Sequence, residues 1–336
     1  MLTIDDLTRY DPSGMHKIYD KWPQIAEESY NSVHQEADFK NIDHIVFSGM
    51  GGSGALGDIF SSILSKTRIH VAVVKGYHLP NTVDSNTLVV ATSISGNTQE
   101  TLSVLESAVK TGCNVISFSS GGKMEEYCMK HKVEHRKISQ LHSPRASFTE
   151  FLFTILKVLR GVLPVKEEDI RNSIVDMKKL CNQISSSNLN EQNESLRLAE
   201  WICGIPIIYY PFGLQAAAIR FKNSLQENSK KHAMIEDVIE ACHNNLVALE
   251  KPANVNPILI EGYDDYIKTK ERWNILKEYF QKNNIEYKEV FSLKGGIITK
   301  IINLIYLLDY TSIYLAALSH VDPSPTNSID FIKNRL

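Results

Sequence analysis

The chain has 336 residues, 43% hydrophobic and 22% charged, with a formal net charge of −3 and five cysteines. That length exceeds one ordinary domain and predicts two of about 150–170 residues each. The charge balance excludes the basic footprint of a nucleic-acid binder, and five cysteines without paired spacing predict reduced thiols rather than a disulfide framework. The opening, Met1-Leu2-Thr3-Ile4-Asp5-Asp6, lacks a basic and apolar leader, and the longest apolar stretch, Ile297–Leu318, is broken by Lys300, Asn303 and Asp309. A cytoplasmic chain with no membrane partner is therefore expected.

Residues 1–40 read as a polar, mostly helical lead-in. His44–Phe47 has the apolar content of a buried strand and runs into Ser48-Gly49-Met50-Gly51-Gly52-Ser53-Gly54, with a helix expected over Ala55–Leu64. Ile69–Val74 and Leu88–Ala91 are further strands. After Thr92-Ser93-Ile94-Ser95-Gly96-Asn97-Thr98, helical spacing of apolar residues covers Thr101–Val109. Asn114–Phe118 is a strand ending at Ser119-Ser120-Gly121-Gly122, Lys132–Ile138 a short edge strand, Ser143–Ser147 a loop, and Thr149–Val162 an apolar helix. Val165–Glu194 reads as a linking helix. The alternation then restarts with a strand at Ile205–Tyr210, a helix at Leu214–Leu225 and a short strand at His232–Val238. A strand at Asn256–Glu261, a helix at Asp264–Lys282, a strand at Glu286–Phe291 and a helix at Ile297–Leu318 follow. The tail, with Pro323 and Pro325, is extended and closes in a helix at Ile329–Leu336. Strands alternating with helices predict an α/β fold of parallel sheets covered on both faces, the second half repeating the first without its hydroxyl loops.

Two loops carry the chemical signal. Each joins the C-terminal end of a buried strand to a helix N-terminus, where unpaired N–H groups and the helix dipole favour an anion. Ser93, Ser95 and Thr98 add short donors, which suits a phosphate that stays put rather than one being transferred. Either loop alone also fits helix capping or a tight strand–helix crossing; two at strand C-termini point to a ligand. Gly49, Gly51 and Gly54 satisfy a dinucleotide spacing, but Lys75-Gly76 stands where a ribose-binding acid belongs, so a nicotinamide enzyme is disfavoured. Cys128, His131 and His135 have the spacing of half a zinc site; with no second half, and Lys130, Lys132, Arg136 and Lys137 around them, they read as a solvated basic segment. Physics alone does not single out Arg145, Glu227, His243 or Lys333, whose ordinary readings are solvated charges and an exposed imidazole.

Taken in order, Ser48–Gly54, Ser93–Thr98, Ser143-Pro144-Arg145-Ala146, Glu227-Asn228-Ser229-Lys230, Glu240-Ala241-Cys242-His243-Asn244 and the Pro-rich tail to Lys333 resemble the bifunctional phosphoglucose/phosphomannose isomerase family of the sugar-isomerase (SIS) superfamily, over nearly the whole chain from about Asp43. The resemblance implies two SIS subdomains, each a flavodoxin-like α-β-α sandwich with a mainly parallel sheet, at 1–162 and 163–319, and a tail at 320–336 carrying site residues. It implies a homodimer with shared sites, and a sugar phosphate surrounded by Gly51, Gly52, Ser53, Ser93, Ser95 and Thr98. Glu227 would be the base that moves a proton between C2 and C1, and Arg145 would stabilise the enediolate. His243, from the other subunit, and Lys333 would assist ring opening, and Thr326 would stand near the C1–C2 end. Asn327-Ser328 replaces a Pro-containing pair, and Cys242 stands where a second histidine is common. Isomerisation through an enediol needs an anchored phosphate, a carboxylate and an acid for ring opening, and no metal or redox cofactor is expected. A non-catalytic sugar-phosphate-binding regulator and an isomerase of another sugar phosphate are the alternatives.

Overall fold

Five parallel strands form the first sheet: β1 (His44–Ser48), β2 (His70–Val74), β3 (Thr87–Ser93), β4 (Asn114–Ser119) and β5 (Glu134–Lys137), in the order β2-β1-β3-β4-β5. The second holds β6 (Ile205–Tyr210), β7 (Met234–Asp237), β8 (Val255–Glu261) and β9 (Lys288–Phe291), parallel, in the order β7-β6-β8-β9. This computed structural model describes residues 2–251, 253–333 and 335. Both sheets start from an inner strand, add the next strand on one side and then reverse, which is the doubly wound pattern. Their switch points lie between β1 and β3 and between β6 and β8.

The expected α/β architecture with two parallel sheets is what the chain forms, and its layers follow from side-chain alternation. In β1, Val46 points to one face and packs with Val89, Val104 and Ala108. Phe47 points to the other and stacks on Phe60 of the helix Gly51–Leu64, ring centroids 4.8 Å apart. In the second sheet Ile207, Tyr209 and Leu259 pack on Trp273, Leu276 and Phe280 of the helix Ile267–Lys282. The apolar helix Ile297–Leu318 is a core element of this part of the chain and packs on the helices Glu194–Trp201 and Gln215–Glu227. Its length and composition match a membrane span, yet 94% of its apolar window is buried within the protein.

By contacts the chain forms two units: residues 2–20 with 175–327, and 21–174 with the described part of 328–335. The expected boundary at 162 and the expected tail at 320–336 differ from this division. The division falls inside the helix Glu167–Ile184, between Ile174 and Val175. The lead-in is itself split, because Ile4–Tyr10 and Met15–Asp20 pack on Ile297–Leu318, where Tyr306 Oη donates to the Tyr19 carbonyl at 2.8 Å. Trp22–Tyr30 instead packs on the helix Phe148–Val158 in the other unit.

Several helix bounds differ from expectation. The helix expected from Ala55 begins at Gly51, and the one expected to stop at Leu225 runs to Glu227. Glu194–Trp201, Val238–Ala241 and the 3₁₀ turn Asn245–Glu250 were not anticipated. The last helix is Asn327–Lys333; the expected extension through Asn334 to Leu336, like Met1 of the first domain, lies outside the described residues.

Candidate active site

The N-terminal sheet brings the two glycine–hydroxyl loops together at its switch point. Gly51, at φ +53°, Gly52 and Ser53 form the first turn of the helix after β1. Ser53 Oγ accepts the Ile94 N–H at 3.1 Å, tying this turn to the loop after β3. Within that second loop Ser93 and Thr98 hydroxyls lie 2.9 Å apart, and Ser95 Oγ accepts the Asn97 N–H at 3.3 Å. Gly96 is required by close approach: at φ +71° a Cβ there would stand 1.8 Å from the Gly121 carbonyl oxygen. The loop is held further by the Met124 N–H donating to Gly96 O at 2.9 Å. Neither helix is capped by a side chain: the N-cap residues Met50 and Thr98 make no side-chain capping bond. The N-cap side chains therefore leave both first turns open, Ser93 Oγ reaching only the Thr98 N–H at 3.4 Å, and two uncapped helix N-termini meet at one place.

The Ser143–Ser147 loop adds Arg145 to the same unit. A Cβ at Gly52 would lie 3.4 Å from the Pro144 carbonyl oxygen, so this loop runs directly over the first helix turn. Ser147 Oγ donates to Ser143 O at 2.8 Å and accepts the Leu141 N–H at 2.9 Å, and Trp22 Nε1 donates to Ala146 O at 3.0 Å. Arg145 is buried, 6% exposed. Lys333 belongs to this unit too, exposed on its short helix.

Sequence reasoning missed Glu150, in the first turn of the helix Phe148–Val158. Its Oε2 is buried with no hydrogen-bond partner among the described residues, and burial pushes its pKa up to about 7. A lone carboxylate in Phe-Thr-Glu-Phe-Leu-Phe, three residues past the Arg145 loop's Ser147, was the available signal. The native state keeps a proton that the unfolded chain releases between pH 4.5 and about 7, so stability falls as pH rises through that window. Glu150→Gln is expected to stabilise the fold by about 1–3 kcal/mol at pH 8 and by little at pH 4. Urea melts at the two pH values check this; equal shifts at both would mean that Glu150 does not titrate in this way.

The other candidate residues lie in the C-terminal unit. Glu227 ends the helix Gln215–Glu227 and is half-buried. Lys230, at φ +54°, donates from Nζ to the carbonyls of Glu227, Pro323 and Pro325 at 2.6, 3.2 and 2.9 Å. One ammonium thus satisfies the end of the Glu227 helix and holds the tail segment that leads into Thr326. Asn228 Nδ2 donates to Ser312 Oγ at 2.8 Å, fixing the next residue to the helix Ile297–Leu318. Earlier in the Glu227 helix, the buried Arg220 pairs with the buried Asp309 at 2.6 Å, and Ser224 Oγ donates to the same carboxylate at 2.6 Å. His243 follows the helix Val238–Ala241, exposed, its backbone N–H donating to Glu240 O at 2.8 Å. Its imidazole has no hydrogen-bonding partner among the described residues. The structure thus joins Gly51, Gly52, Ser53, Ser93, Ser95, Thr98 and the Arg145 loop in one unit and links Glu227 to the Thr326 segment in the other. Among the described residues it makes no such link for His243 or Lys333.

Two side readings are settled by local contacts. Lys75, standing where a dinucleotide fold would carry its acid, pairs with Asp58 at 2.6 Å. The Cys128–His135 segment is not the solvated stretch that its lysines suggested. Cys128 is buried on the core face of its helix 3.0 Å from Ser117 Oγ, which also lies 2.8 Å from His135 Nδ1, and burial lowers the His135 pKa. His131 stays outside that cluster, stacked on Tyr127 at 4.2 Å. Among the described residues no group of three or more His, Cys, Asp or Glu is placed to hold a metal ion.

Comparison with known proteins now adds to the geometry. Residues 191–336 match the bacterial phospho-glucose isomerase C-terminal SIS domain, and residues 38–135 match the SIS domain. The bifunctional phosphoglucose/phosphomannose isomerase of Caldicellulosiruptor bescii is 31% identical over 324 residues, covering 93% of this chain and 95% of its own. A D-glucosamine-6-phosphate 4-epimerase of Sulfolobus acidocaldarius is 29% identical over 240 residues, 69% of this chain and 72% of its own. The solved C-terminal domain of glucosamine-fructose-6-phosphate aminotransferase from Francisella tularensis shares the fold, with a TM-score of 0.69 at 14% identity over 92% of this chain and 96% of its own.

Proposed function

Because the chain belongs to the bifunctional phosphoglucose/phosphomannose isomerase family, we propose that it interconverts glucose 6-phosphate and mannose 6-phosphate with fructose 6-phosphate through a cis-enediolate. The observation that carries this reading is the Ser53 Oγ···Ile94 N–H bond at the switch point, which unites two uncapped helix N-termini. Ser53 Oγ accepts that N–H with one of its two lone pairs and keeps its proton to donate to a phosphate oxygen. The N–H groups of Gly51 and Gly52 and the hydroxyls of Ser93, Ser95 and Thr98 complete the grip, which anchors the sugar and leaves the phosphate unreacted.

The chemistry then falls to four side chains and a fifth that sets the sugar. Glu227 takes the C2 proton and returns a proton to C1. Arg145 carries its positive charge on a buried guanidinium, where it is strongest toward an enediolate oxygen that exists only after proton removal. Lys333 and His243, the latter supplied by the second copy in a homodimer, open the ring, and Thr326 stands by C1–C2. Glucose 6-phosphate and mannose 6-phosphate differ only at C2 and lose that difference in the enediolate, so one base serves both. No cofactor is required for this proton transfer. The relative named as a glucosamine-6-phosphate 4-epimerase supports a second reading, action on another sugar phosphate.

Coupled assays separate these. Both hexose phosphates are expected to turn over at rates unaffected by EDTA, with glucosamine 6-phosphate inert. Activity on glucosamine 6-phosphate alone favours the second reading, and binding of fructose 6-phosphate without turnover favours a regulator.

A further inference from the structure

The C-terminal unit holds a cavity of about 460 Å³ that none of the residues proposed for isomerisation lines. It lies between the helix Ile267–Lys282 and the segment 242–246. That volume is within the range of small-molecule sites. Its apolar wall is Leu246, Ile275 and Tyr279; Leu246 and Tyr279 back onto the core cluster, and Ile275 is 64% exposed. Its charged wall is Lys268, Glu271 and Arg272. Lys268 and Glu271 neutralise each other in an ion pair at 2.8 Å. Arg272 is half-buried and has no hydrogen-bonding, ion-pair or ring partner among the described residues. A guanidinium partly withdrawn from water and left unpaired, beside apolar surface, is complementary to an anion that carries an apolar body.

We propose that this cavity is a second binding site, for a small organic anion whose carboxylate, phosphate or sulfonate pairs with Arg272 and whose apolar body lies on Leu246, Ile275 and Tyr279. The wall also includes Cys242, directly before His243. An occupant holds the segment 242–246 against the helix and so limits where the exposed His243 imidazole can go. If His243 acts in ring opening, as proposed above, the site is regulatory. The binding itself does not depend on that reading, and the test reads binding alone.

The probe is 8-anilinonaphthalene-1-sulfonate, an anion with an apolar body, compared with the neutral N-phenyl-1-naphthylamine; both gain fluorescence on leaving water. Saturable binding of one sulfonate per chain is expected. Arg272→Gln should weaken it by about tenfold or more while leaving the neutral dye unchanged, since only the charge-assisted contact is removed. Ile275→Trp, an exchange at an exposed position that fills the mouth of the cavity, should abolish binding of both dyes without lowering the melting temperature. Saturating fructose 6-phosphate should displace neither. The proposal is overturned if the two variants bind the sulfonate like the parent or if fructose 6-phosphate displaces it. It is equally overturned if binding disappears as chains associate at higher protein concentration, which would make the cavity part of an interface between copies.

Discussion

Glu227→Gln is expected to lower kcat by about 10²–10⁴-fold or more while leaving fructose 6-phosphate binding close to that of the parent. That range is what loss of one general base removes, and here one carboxylate serves both proton transfers. Gln keeps the size of the side chain and some of its hydrogen bonding but cannot accept the proton. Its position should survive, because the helix end is held through main-chain groups: Lys230 Nζ bonds the Glu227 carbonyl, and the Asn228 N–H donates to Ser224 O at 2.8 Å. The phosphate loops belong to the other unit and are untouched. Turnover and washing of solvent deuterium into C2 of glucose 6-phosphate must be measured together. A variant that exchanges the C2 proton at the parent's rate would show that Glu227 is not the base. The acids next in line are then Glu236, Asp237 and Glu240: Glu236 accepts from Asn245 Nδ2 at 3.4 Å, Asp237 caps a helix by accepting the Ile239 N–H at 2.8 Å, and Glu240 accepts from Asn244 at 2.8 Å. A solvated helix acid with no role predicts near-normal kcat and a stability change within about 0.5 kcal/mol.

The inner strands β1, β3, β6 and β8 were legible because parallel strands buried on both faces are written as short apolar runs rich in β-branched residues. Helix starts were less so. Gly51 and Gly52 are poor helix residues, and their local preference hid a first turn that the tertiary context imposes. What the sequence could not show was anything that depends on distant partners. Ser53 reads as a loop hydroxyl until it is seen holding the Ile94 N–H, 41 residues away. Lys230 enters only as the last residue of a motif, yet its ammonium binds the tail carbonyls of Pro323 and Pro325. Asp309 reads only as an interruption in an apolar helix, and Glu150 draws no separate reading within its own, because burial carries no periodic signal when one polar residue is involved. Arg145, Glu227, His243, Lys333 and Thr326 came from the family's motifs, not from their own chemistry. The structure gives physical reasons for interest in the buried Arg145 and the clamped Glu227, and adds none for His243 and Lys333.

Asp309→Ala is expected to destabilise the fold by about 3–5 kcal/mol, the largest stability effect anticipated for a single side chain here. Asp309 is fully buried and Arg220 is 3% exposed. The carboxylate takes two bonds from the guanidinium, at 2.6 and 3.0 Å, one from Ser224 Oγ at 2.6 Å and one from Tyr19 Oη at 3.3 Å. Burial by itself would pull the Arg220 pKa down, and the facing Asp309 carboxylate more than reverses that, holding it above the ordinary value. Removing the carboxylate therefore leaves a cation that can neither reach water nor lose its proton, and two hydroxyls without their acceptor. The cost is mostly that of the stranded charge, so removing the charge as well should recover much of it. Arg220→Met combined with Asp309→Ala is expected to be more stable than Asp309→Ala alone, with a coupling of about 2 kcal/mol between the two sites. Urea melts of the two single variants and the double variant give that coupling directly. Strictly additive losses would mean that the pair does not carry the energy assigned to it. The same pair holds the Glu227 helix against Ile297–Leu318 at a point two turns before the carboxylate. In the folded double variant kcat should accordingly fall more than the KM for fructose 6-phosphate changes, because the phosphate grip is independent of this helix while the placement of the base is not.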